Sequence, residues 1–135
     1  MKIPSSEELK PLAERYGLKL IVLFGSQARG RIHPESDVDV AVLPEKPLSP
    51  AKRLELWGKL CQAFGADIDL TSLDHAGPLL LYHVARDGKL LYEGEKWAWE
   101  RLKSYGYRLY WDSKKFFDDM GRYLARRAEE IRRAG

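Results

Sequence analysis

The chain has 135 residues, 44% apolar, 11% aromatic and 32% charged, which is the profile of one globular domain and excludes a disordered or fibrous chain. No run approaches the ~18 to 20 apolar residues of a membrane span, and the first ten residues hold no apolar core of a secretory signal, so a cytoplasmic protein without a membrane partner is expected. The formal charge of +3 divides into a net −1 over residues 1–94 and +4 over residues 95–135, but the basic excess is interleaved with acids as on a solvated helix face, so nucleic acid is not the expected partner.

Ser5 or Ser6 ahead of Glu7 and Glu8 reads as a helix N-cap with acids in the first turn, and Leu9, Leu12 and Tyr16 carry an apolar stripe up to Gly17. Leu18 to Phe24 is a nearly continuous aliphatic run, the pattern of a buried strand, and Gly25-Ser26 stops it in a tight turn. Residues 26–31 read as a helical turn that His33-Pro34 breaks. Asp37 to Leu43 alternates acid with aliphatic and predicts a second strand, closed by Pro44, Pro47 and Pro50. A helix is expected over Ala51 to Phe64 with Leu54, Trp57, Leu60 and Cys61 on its apolar face, which reads Trp57 as core. Asp67 to Thr71 alternates again, a third strand with Asp67 and Asp69 on one face. Pro78 to Arg86 reads as helix and Lys89 to Tyr92 as a short strand. The remainder is mainly helical: Phe117, Met120, Leu124 and Ile131 make an amphipathic stripe after a cap at Asp112 or Ser113, while Gly106 and Gly121 lower the helical propensity. Trp97, Trp99, Tyr105, Tyr107, Tyr110 and Trp111 form an aromatic cluster that suits a local core or a partner surface equally. His33 and His75 read as exposed loop residues and His83 as structural.

Cys61 is the single cysteine, which rules out an internal disulfide and a cysteine-based zinc site and leaves oxygen or imidazole to hold any metal. Asp37 and Asp39 share one side of a strand by period-two alternation, and a third carboxylate lies on a later strand. Close carboxylates repel unless a cation lies between them, and an oxygen-only donor set suits Mg²⁺ or Mn²⁺. Separated from Asp37 by ten residues, Gly25 and Ser26 follow a buried strand and open a helical turn, where free backbone N–H groups and a hydroxyl receive an anion. Arg29 and Arg31 add positive charge beside them; for Arg29, a phosphate contact and a structural salt bridge both fit.

Gly25-Ser26 followed after ten residues by Asp37-Val38-Asp39 resembles the signature of the polymerase-beta-type nucleotidyltransferase superfamily, and the strings GSQARG and SDVDVAV are similar to its minimal, or MNT, branch. The resemblance covers about residues 18–94 and implies an α/β fold, a small mixed β-sheet flanked by helices, with residues 1–94 as the catalytic core. Residues 95–135 are then a basic, aromatic-rich helical extension, either part of the same domain or a partner-docking arm. The resemblance further implies that Gly25, Ser26 and Arg29 bind the nucleotide. It makes Asp37 and Asp39 the bridge between two Mg²⁺ ions and Asp69 the third carboxylate, which binds one metal and assists deprotonation of the acceptor, with Asp67 as its competitor. Many MNT proteins resemble antitoxins paired with HEPN toxins, small helical RNases, which implies transfer of AMP from ATP to a toxin tyrosine and a hetero-oligomeric assembly. Transfer to a small hydroxylated molecule such as an aminoglycoside, and a non-catalytic binding antitoxin, are the alternatives.

Overall fold

Ser5 caps the first helix, α1 (Ser6–Tyr16), by accepting the Glu8 N–H at 3.2 Å, and Gly17 closes it. Lys2 Nζ donates to the Glu8 carboxylate at 2.8 Å and holds that group below the usual carboxylate range. The computed structural model describes residues 1–25 and 38–135, so the helical turn expected over residues 26–31 and its break at His33-Pro34 lie outside the described residues. After α1 come β1 (Leu18–Phe24), β2 (Val38–Pro44), α2 (Pro50–Phe64), β3 (Ile68–Ser72), α3 (Pro78–Asp87), β4 (Lys89–Glu93) and α4 (Ala98–Ala134). Among these described elements no helix is long and apolar enough to cross a membrane.

The four strands form one mixed sheet in the order β3-β2-β1-β4. β1 pairs antiparallel with β2 and β4, whereas β2 and β3 are parallel and need the crossover that α2 supplies. Alternation divides the core in two. Ile21, Leu23, Val38, Val40, Ile68 and Leu70 face α1 and α2, where Leu56, Leu60 and Phe64 are fully buried. Leu20, Val22 and Ala41 face α3 and α4, packing with Leu81, Val84, Trp99 and Leu102.

Two local expectations change in this context. The buried stripe of α2 is Leu56, Leu60 and Phe64, so the helix is rotated relative to the expected face, and Trp57 is 39% exposed rather than core. The last helix does not begin at Asp112 or Ser113. It starts at Ala98, where the Glu93 carboxylate at the end of β4 accepts the Trp99 N–H at 2.9 Å and so caps the helix from outside it. Gly106 costs about 1 kcal/mol of helix propensity, yet it lies where α4 presses on α3: a Cβ there would stand 3.0 Å from the Leu81 carbonyl oxygen. Gly106→Val is therefore expected to lower stability by about 1–3 kcal/mol, read as a drop in Tm. An unchanged Tm would mean that α3 and α4 part without cost.

The aromatic cluster divides along α4. Trp99 is buried, Tyr107 donates its hydroxyl to the Ala85 carbonyl at 3.2 Å, and Tyr110 stacks on Tyr82 with centroids 4.0 Å apart. Trp97, Tyr105 and Trp111 are exposed, and so are Phe117, Met120, Leu124 and Ile131 farther along.

Candidate active site

β1 ends at Phe24, which pairs with Asp39 of β2, and Gly25 follows with φ 76. A Cβ at Gly25 would fall on the Asp39 carboxylate. Both the left-handed backbone and the close approach therefore demand glycine. Asp39 is half-buried, and its register partner on β3 is Asp69, which is exposed. Because paired residues of parallel strands point to the same side, both side chains leave the sheet on one face, from strands that lie about 4.8 Å from each other. They share the sheet face of Ala41, the face that α3 and α4 cover farther along the strands.

Asp67 precedes β3, and its carbonyl accepts the Val38 N–H at 3.4 Å. Asp69 rather than Asp67 is thus the acid directly beside Asp39. Ser26, Arg29 and Asp37, the remaining residues expected at the site, lie outside the described residues. The oxygen donors of Asp39 and Asp69 suit a hard divalent cation. Among the described residues no group of three His, Cys, Asp or Glu side chains converges on a metal position. His75 is exposed beside Asp74 at 3.5 Å, and the His83 ring lies 5.9 Å from that of Tyr82, so neither joins the carboxylates.

Sequence reading missed two residues near Asp69. Arg53 Nη2 donates to the Leu70 carbonyl at 3.0 Å and Trp57 Nε1 donates to the Ile68 carbonyl at 2.8 Å. With Pro50, Leu54 and Asp69 they line an open groove of about 370 Å³ at the edge of the sheet. Their spacing of four on a helix was legible, but their partners depend on which strand forms the edge.

The family model described as polymerase beta, nucleotidyltransferase, matches residues 7–96, from α1 through β4. The chain belongs to this nucleotidyltransferase family. Its mixed four-stranded sheet, flanking helices and long C-terminal helix are the polymerase-beta-like fold. The nucleotidyltransferase is similar to the protein adenylyltransferase MntA of Aphanizomenon flos-aquae, with 37% identity over 107 residues that cover 68% of this chain and 71% of the relative. Among solved structures it is similar to a toxin-antitoxin with AMP-PNP, with TM-score 0.68, 31% identity and coverage of 85% of this chain and 97% of that one. It is also similar to a chain of the tri-AMPylated Shewanella oneidensis HEPN toxin in complex with MNT antitoxin, with TM-score 0.62, 29% identity and coverage of 85% and 94%.

Proposed function

We propose that this nucleotidyltransferase transfers AMP from ATP to a tyrosine hydroxyl of a HEPN-type toxin and thereby acts as its antitoxin in the cytoplasm. The observation that carries the reading is the register of Asp39 with Asp69 beside Gly25, two carboxylates at a point where the backbone leaves room for little else. The AMP-PNP in one similar toxin-antitoxin supports ATP as the donor, and the tri-AMPylated HEPN toxin in another supports the acceptor.

In this reading Gly25 and Ser26 bind the terminal phosphates, Arg29 adds charge to them, and Asp37, Asp39 and Asp69 hold two Mg²⁺ ions. When bound, Mg²⁺ supplies charge neutralisation on the triphosphate and on the departing pyrophosphate. The phenolic oxygen of the acceptor attacks the α-phosphorus, and the bond from that phosphorus to the oxygen bridging to the β-phosphate breaks. Pyrophosphate leaves with that bond's electron pair, and Asp69 takes the phenol proton. Asp67 is given no such part, because it precedes β3 and the register partner of Asp39 is Asp69. Incubating the pair of proteins with ATP and Mg²⁺ should place AMP on toxin tyrosines, read by mass spectrometry, and silence the toxin's RNase activity. Inhibition without an adduct would reject transfer in favour of a binding antitoxin.

The half of α4 beyond Trp111 is the docking surface in this proposal. Phe117, Met120, Leu124 and Ile131 fall on one helical face and are all exposed, Phe117 at 69%. Combined Phe117→Glu and Leu124→Glu should change stability by no more than about 0.5 kcal/mol per site, seen as a nearly constant Tm. Co-purification with the toxin should be lost; full retention would place the interface elsewhere.

A further inference from the structure

β3 is an outer strand of the sheet, five residues long, and Asp69 is its second residue. The Asp67 carbonyl points to β2, where it accepts from Val38. By alternation the Ile68 and Leu70 carbonyls point to the open edge. Both are taken: Trp57 Nε1 donates to the first at 2.8 Å and Arg53 Nη2 to the second at 3.0 Å. The donors sit four residues apart on α2, about 6 Å along the helix, and the acceptors two residues apart on β3, about 6.6 Å along the strand. One helix therefore grips the edge strand at the two residues flanking Asp69. The grip comes from behind, because Ile68 and Leu70 pack toward α2 while Asp69 alternates to the opposite face. Core filling does not explain these side chains: Arg53 is exposed and Trp57 is 39% exposed.

We infer that Trp57 and Arg53 are positioning residues for Asp69, holding the edge strand so that its carboxylate stays in line with that of Asp39. The inference rests on the reading of Asp69 as a metal-binding carboxylate of AMP transfer. Partners hydrogen-bonded directly to a metal ligand are worth ~10- to 100-fold in metal affinity; Trp57 and Arg53 act through the backbone on either side of Asp69, which sets the low end of that range as the expected effect.

The test is Mn²⁺ titrated into the full chain with AMP-PNP present, read by electron paramagnetic resonance, which needs no acceptor. Trp57→Phe keeps the ring and removes the donor; it should weaken Mn²⁺ binding by about tenfold, with Tm recorded alongside. Arg53→Met should act in the same direction. In an Asp69→Asn background, Trp57→Phe should add no further loss, because the carboxylate it holds in place no longer binds metal. A merely structural role would add the same loss in both backgrounds. If Asp69→Asn binds Mn²⁺ as tightly as the wild type, the carboxylate reading falls and the positioning role falls with it. If Asp69→Asn is weakened but Trp57→Phe and Arg53→Met bind as wild type, the positioning role alone is overturned. Additive losses in the double variant overturn it equally.

Discussion

Asp69→Asn should lower the rate of AMP transfer by ~10²–10⁴-fold, the range for loss of a positioned general base. Asn keeps the shape of the side chain but loses the negative charge that holds a cation strongly and cannot accept the phenol proton. Asp39→Asn and Asp37→Asn should fall by comparable orders of magnitude, because each removes a negative charge that the proposed reaction assigns to metal binding. Asp67→Asn is the control. It differs from Asp69 by two residues along the same chain segment, but Asp69 is the register partner of Asp39. Pyrophosphate release in the presence of the toxin measures all four. Near-wild-type release by Asp69→Asn with loss in Asp67→Asn would reverse the assignment.

Gly25→Ala should combine two penalties at one position. With φ 76, an L-residue there carries ~1–3 kcal/mol of backbone strain. Its methyl group would also overlap the Asp39 carboxylate, and that carboxylate or the turn must move. A displacement of about 1 Å at reacting groups is worth ~10²-fold in rate. Gly17→Ala isolates the first penalty, since Gly17 has φ 64 with open space where a Cβ would go. Gly17→Ala should lose stability by the strain alone and Gly25→Ala by more, both read by thermal denaturation, and only Gly25→Ala should lose AMP transfer. Equal activity in the two would mean that the close approach at Asp39 has no part in the reaction.

Local chemistry made much of this protein legible from its residues. Ser5 before Glu8, Gly17 after Tyr16, the aliphatic run of β1 and the alternation around Asp39 and Asp69 each depend on neighbours within a few positions, and the elements form where those patterns place them. The family resemblance rests on equally local strings. Period-two alternation, however, puts Asp67 and Asp69 on one face without choosing between them. The stagger of β3 against β2 makes Asp69 the partner of Asp39, and stagger is a property of two segments that lie far apart in the chain. The same holds for Trp57, whose helical spacing fits a core stripe until β3 becomes the edge strand and offers the Ile68 carbonyl to its indole N–H. It holds again for α4, where Glu93 supplies the cap and close packing on Leu81 accommodates Gly106. In each case the deciding energy is a hydrogen bond or a contact between segments that only folding brings together, and such terms outweigh the few tenths of a kcal/mol by which most residues differ in propensity.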